Sequence, residues 1–255
     1  MSVFIVNVAQ ARIDILPQKI VIGERDRSSE LTVLNLSNTT GTFRIELVSF
    51  KQNEFGVYEA LEAPLNENFN PESIVRLSPR QFTIEPGGRQ KVRVSLRKPA
   101  DLANGEYRFH IKAIRLLQDE ELQSENLEAV SIVANIGVTI PAVVRHGKVS
   151  SDAILKNIQL VGPSQTKNNK PELRLEIERS GDASTLGAIE VFWEQGGKSE
   201  QIGRIKNMNL FTDINRRYVG IPLSMMPSGE GKIHVRYIDD TNKRNVFDEQ
   251  WISSQ

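Results

Sequence analysis

Apolar residues recur at every second position along much of this chain. Ile13 and Ile15, then Ile20 and Ile22, open the series. Leu31 and Val33, with Leu34 and Leu36 beside them, lead into the polar stretch Ser37-Asn38-Thr39-Thr40-Gly41. Phe43, Ile45 and Leu47 alternate with Arg44, Glu46 and Val48, and residues 90–97 and 107–113 alternate almost strictly. A period of two in β-branched and aromatic residues, cut by Gly, Pro, Asn and Asp clusters, predicts short antiparallel strands. No stretch of helical length keeps an i, i+3, i+4, i+7 pattern without a breaker. The expected class is all-β.

A second series begins after Gly147, with strands expected over 154–160, 173–177, 189–193, 202–205, 218–223, 233–238 and 246–252. Gly196-Gly197 and Asp240-Thr241-Asn242-Lys243 supply hairpin turns between them. Two series of sandwich size predict two domains, 12–145 and 148–255, that meet near Arg145-His146-Gly147. Residues 62–72 and the acidic stretch 118–128 are expected to be loops.

Composition narrows the function. The chain has 255 residues, 39% of them hydrophobic, enough to bury a core, and no apolar run reaches membrane-span length. Lys plus Arg and Asp plus Glu are 32 each, so no global field favours nucleic acid or an anionic membrane. The absence of cysteine removes thiol catalysis, thiolate metal sites and disulfides. At the N-terminus, residues 3–8 are a short apolar run, and Ala9-Gln10-Ala11 has the A-x-A form of a secretory cleavage site. Residues 1–11 therefore read as a signal-peptide remnant lacking its basic segment, with the mature chain expected to begin near Arg12; the other reading is an ordinary first strand.

Catalytic constellations are missing. The sequence has no G-x-S-x-G elbow and no H-E-x-x-H pair, and His110, His146 and His234 lack the spacing of metal ligands. Gly197-Lys198-Ser199 is similar to the end of a phosphate loop, but Phe192 stands where the first glycine is needed. Asp239-Asp240-Thr241-Asn242 lacks the glycine and terminal glutamate of a calcium loop. The expectation is a non-enzyme with no cofactor and no metal.

Three segments, in order, resemble the PapD-like chaperones of chaperone–usher pilus assembly. The first is Leu16-Pro17-Gln18-Lys19-Ile20-Val21-Ile22, followed by Leu31-Thr32-Val33-Leu34-Asn35-Leu36-Ser37-Asn38. The second, running from Leu77-Ser78-Pro79 through Phe82, Pro86-Gly87 and Gln90 to Val92-Arg93-Val94, is similar to the family's P-x-x-F-x-L-x-P-G-x-x-Q-x-V-R-V signature. The third, Val138-Thr139-Ile140-Pro141-Ala142-Val143-Val144-Arg145, is similar to its I-P-L-F-Y-R-P strand end. The match covers nearly all of 12–147; beyond it, Gly187-Ala188-Ile189-Glu190-Val191 and Tyr237-Ile238-Asp239-Asp240 match more weakly.

The resemblance implies two immunoglobulin-like β-sandwich domains joined by a short hinge, boomerang-like in outline. It implies a periplasmic chaperone that stabilises pilin subunits by donor-strand complementation and delivers them to an outer-membrane usher. A self-capping oligomer of the free protein is a further partner to expect. In residues 128–140, Val130, Ile132, Ala134, Ile136, Val138 and Ile140 fall on one face. On periodicity alone this is a central strand facing its own core; the resemblance makes Ile132, Ala134 and Ile136, flanked by Val130 and Val138, the residues lent to the pilin groove. It also implies a contact between the domains through Arg145 and Asp240, with Asp239 as neighbour. Two basic side chains should hold the pilin's C-terminal carboxylate. Lys19 matches the first; the second position is Pro141, so Arg108 is the expected substitute and Arg145 the fallback. The alternative reading is an extracellular β-sandwich adhesin or carbohydrate-binding module, which clustered exposed aromatics would favour.

Overall fold

The computed structural model describes residues 12–66, 68–116, 137–240 and 245–253. It divides into two compact units. One comprises Met1–Phe50, Ala60–Ala103 and Tyr107–Gly147; the other Lys51–Glu59, Asn104–Glu106 and Lys148–Gln255.

In the first unit the strands are β1 Ile13–Leu16, β2 Ile20–Ile22, β3 Ser28–Asn35, β4 Gly41–Gln52, β5 Tyr58–Leu61, β6 Val75–Ser78, β7 Gln81–Ile84, β8 Arg89–Leu96, β9 Gly105–Leu116 and β10 Gly137–His146. One sheet has the order β1-β3-β8-β6, and the other β2-β10-β9-β4-β5, with β7 on β4. This is the A-B-E-D against G-F-C order of an immunoglobulin-like sandwich. The core follows the alternation in the sequence: Ile15, Val33, Phe43, Val92, Val94, Phe109 and Ile111 are all buried between the sheets. Residues 51–59, which include the last residues of β4 and the first of β5, are assigned to the second unit.

Two local features differ from the sequence expectation or add to it. The first strand is broken at Pro17 and changes sheets: β1 pairs antiparallel with β3, whereas β2 pairs parallel with β10. Proline has no N–H to donate, so it suits the gap between two ladders. The loop expected over 62–72 ends in a one-turn helix, α1, Pro71–Ile74. Asn70 caps it by accepting from the Glu72 N–H at 3.0 Å, and proline occupies the first turn.

The turn before β8 is pinned from within. Gly87 has φ of 70°, which Pro86-Gly87 accommodates, and the Gly88 N–H closes the turn on Glu85 O at 2.9 Å. Asn35, fully buried, donates through Nδ2 to Thr39 O at 2.8 Å and Ile84 O at 2.9 Å, and its main-chain carbonyl accepts from Gly87 N–H. A buried amide with its donors satisfied fixes the two loops together.

The second unit holds β11 Ser151–Val161, β12 Glu172–Gly181, β13 Thr185–Gln195, β14 Lys198–Leu210, β15 Arg216–Pro222, β16 Lys232–Asp239 and β17 Val246–Ser253. Its sheets have the orders β11-β12-β15 and β14-β13-β16-β17. The Gly196-Gly197 hairpin joins β13 to β14, both glycines having positive φ. Tyr237 is fully buried at the centre, its hydroxyl donating to Met208 O at 2.8 Å. The all-β, two-sandwich class is thus the one present.

Candidate functional site

The sequence places its working residues at alternate positions from Val130 to Val138, and of these only Val138 lies on β10. Val130, Ile132, Ala134 and Ile136, like the expected loop 118–128 and the N-terminal segment 1–11, lie outside the described residues. β10 begins at Gly137. Ile140, Ala142 and Val144 are buried in the core of the first unit, and Val138 is half-buried against the same core. The even-numbered face therefore points into the unit's own sandwich, as alternation requires.

The two sides of β10 differ. On one side it pairs with β9; Gly137 starts the strand against Ala113, whose carbonyl a Cβ at 137 would approach to 3.0 Å. On the other side β2 pairs only with Ala142, Val143 and Val144. Among the described residues, Gly137–Pro141 consequently presents a strand edge with no ladder partner on that side. Pro141 lacks an N–H, which limits what that edge can donate at its inner end.

Lys19 directly precedes Ile20, the partner of Ala142, and so stands at the level of Pro141; its side chain is half-buried. Arg108 lies on β9 and is buried, with Nη2 donating to Phe50 O at 2.8 Å. The two cations sit on, or just before, the two strands that flank β10. The sequence did not foresee that Arg108 would be inside and already bonded to main chain.

Arg145 is half-buried near the end of β10, in the first unit. Asp240 follows β16 in the second, its N–H donating to Leu186 O at 2.9 Å. Lys98 is a residue that sequence reasoning missed. Its Nζ donates to Gly23 O and Glu24 O, both at 2.8 Å, and to Arg145 O at 3.3 Å. Burial lowers its pKa against the opposing pull of Asp26 and Glu24. It fastens the end of β10 to the loop after β2. A lysine next to Pro99 gives no hint of this, because its partners are main-chain carbonyls.

Among the described residues no group of three or more His, Asp or Glu side chains is placed to hold a metal ion. No described helix is long and apolar enough to cross a membrane.

No protein-family model matches the sequence, and no curated protein matches it. Several solved structures are similar in fold. The E. coli chaperone DraB matches 96% of this chain and 96% of its own, at 12% identity and a TM-score of 0.46. The chaperone–tip adhesion subunit pre-assembly complex CsuC–CsuE, from the archaic chaperone-usher Csu pili of Acinetobacter baumannii, covers 95% of this chain and 98% of the matched chain, at 12% identity and a TM-score of 0.42. The Pseudomonas aeruginosa CupB2 chaperone covers 92% and 95%, at 10% identity and a TM-score of 0.40. At these identities and scores the likeness assigns no residue and no activity.

Proposed function

We propose that this chain is a periplasmic chaperone that stabilises pilin subunits by lending them residues 130–138 as a strand, and then delivers them to an outer-membrane usher. The observation that carries this reading is the continuity of one face of β10. Val138, Ile140, Ala142 and Val144 face the unit's own core, and the same parity continues upstream through Ile136, Ala134, Ile132 and Val130. Such a face would have apolar side chains to offer another protein. A pilin lacking its last strand exposes a core groove and an unpaired edge, and both need covering.

Main-chain ladder bonds would supply affinity with little sequence demand, and the alternate side chains would set register. Burying three or four of these side chains contributes on the order of 5–10 kcal/mol gross, much of it offset by association and ordering costs. Ala134 fills less space than its neighbours, which suits a temporary partner that a subunit's own extension can displace. In this reading Lys19 and Arg108 hold the pilin's C-terminal carboxylate, and Arg145 and Asp240 make the contact between domains. Co-expression with candidate pilins tests the function. A soluble one-to-one complex, lost with Ile132→Asn, is expected; recovery of the same complex with that variant contradicts it.

A further inference from the structure

The outer face of the β11-β12-β15 sheet, all within the second unit, carries a groove that donor-strand chemistry does not use. Phe55 and Tyr218 stack along one wall, with ring centroids 5.6 Å apart and planes 30° from parallel. Both are exposed, Phe55 to 70% and Tyr218 to 40%, which is unusual for a packed ring pair. Phe55 is held in place by its own turn. Asn53 Oδ1 accepts from the Phe55 and Val57 N–H groups at 3.0 Å, and Glu54 O accepts from the Tyr218 N–H at 2.8 Å.

The floor of the groove is bare because of one residue. Gly220 stands opposite Arg174 in the β12–β15 register, and any Cβ there would run into the Glu172 carboxylate. Across from the rings are Gln159, Arg174, Glu172 and Asn157, which complete a cavity of about 370 Å³, within the usual range for small-molecule sites. A bulge between Lys156 and Gln159 turns Asn157 into the left-handed region, and its Nδ2 donates to Glu176 Oε2 at 2.8 Å.

We infer that this groove binds a neutral saccharide. The charges at the site balance: Arg174 bonds Glu172 at 2.8 Å, and Arg216 bonds Glu176 at 2.5 Å. Neither an anion nor a cation is therefore favoured. The remaining chemistry is an aromatic wall facing planar amide, carboxylate and guanidinium groups that together donate and accept. A pyranose ring has the matching pair of surfaces, an apolar C–H face and a rim of hydroxyls. An added peptide strand fits less well, because the Tyr218 N–H on the edge of β15 is already taken by Glu54. The site is independent of pilin binding and stands or falls separately.

The test is titration of the full-length protein with maltose, cellobiose and N,N′-diacetylchitobiose, followed by amide and side-chain NMR shifts and by calorimetry. At least one disaccharide should bind, shifting the signals of Gly220, Gln159 and Asn157. Tyr218→Ala should weaken that binding by at least about tenfold, the scale of a lost ring stack. Gly220→Leu, which fills the floor and leaves the rings in place, should weaken it similarly, with circular dichroism confirming that both variants fold. The inference is overturned if none of the three sugars binds, or if inorganic phosphate alone shifts these signals. Undiminished binding in folded Gly220→Leu also overturns it.

Discussion

Lys98 Nζ donates to the carbonyl of Arg145 at 3.3 Å while also bonding Gly23 O and Glu24 O, so one ammonium joins the end of β10 to the loop that follows β2. The site is only partly removed from water, which tempers the strength of these charge-assisted bonds. Replacing it by Lys98→Met keeps the apolar stem and removes the donor. A loss of about 1–2 kcal/mol in urea unfolding is expected. An unchanged midpoint would show that the clamp contributes nothing.

The even-numbered residues from Ile132 to Ile140 should divide into two classes. Ile140 is buried in the first unit's own core, so Ile140→Ala should lower stability by about 2–4 kcal/mol. Ile132→Asn and Ile136→Asn should leave the thermal midpoint of the free protein unchanged and abolish recovery of a pilin complex. If these two variants destabilise the free protein as Ile140→Ala does, the upstream residues belong to its own core and the donor role is lost.

Lys19 can be separated from general surface charge by its ligand. With a pilin-derived peptide ending in a free carboxylate, Lys19→Met should weaken binding by about tenfold, the scale of one charge-assisted bond. With the same peptide amidated at its C-terminus, wild type and variant should bind alike. An equal loss for both peptides would remove the anchor role. Arg108 is less suited to this experiment, because its burial and its bond to Phe50 O mean that substitution also disturbs the fold.

Glu178 provides a pH dependence of known sign. The Lys156 ammonium bonds its carboxylate at 2.5 Å, and Arg216 lies 3.4 Å away, which together hold its pKa below the ordinary value. A depressed folded-state pKa gives stability that is present above the unfolded-state value and lost as pH falls through the folded one. The difference in thermal midpoint between wild type and Glu178→Gln should therefore be present near about pH 7 and shrink as pH falls below the ordinary glutamate range. A difference that does not change over that interval would contradict this.

Strand placement within each sandwich was largely legible in the sequence, because a half-buried strand must alternate and its turns need particular residues. Phe43 and Ile45 inside with Arg44 exposed, and the Pro86-Gly87 turn ahead of β8, follow directly from that constraint. Partner choice was less legible. Pro17 showed that a ladder would be interrupted, yet nothing local says that the chain resumes on β10 in the other sheet. Asn70 and Pro71 are ordinary start signals, but a four-residue helix is too short to show a period. At the site, the parity of β10 could be read. The interior position of Arg108 and the carbonyl bonds of Lys98 could not, since both depend on main-chain groups brought near by the fold. The stacking of Phe55 on Tyr218 is equally invisible, as it joins segments far apart in the chain.

The central claim concerns residues 130–138 and is most directly tested by amide hydrogen exchange on the free protein and on its complex with a pilin that lacks its last strand. A lent strand forms a new ladder, so the amides of this segment should exchange slowly in the complex and rapidly in the free protein, with the protection lost when the pilin's own strand is supplied in trans. A stable one-to-one complex in which exchange across 130–138 is the same as in the free protein would contradict the account.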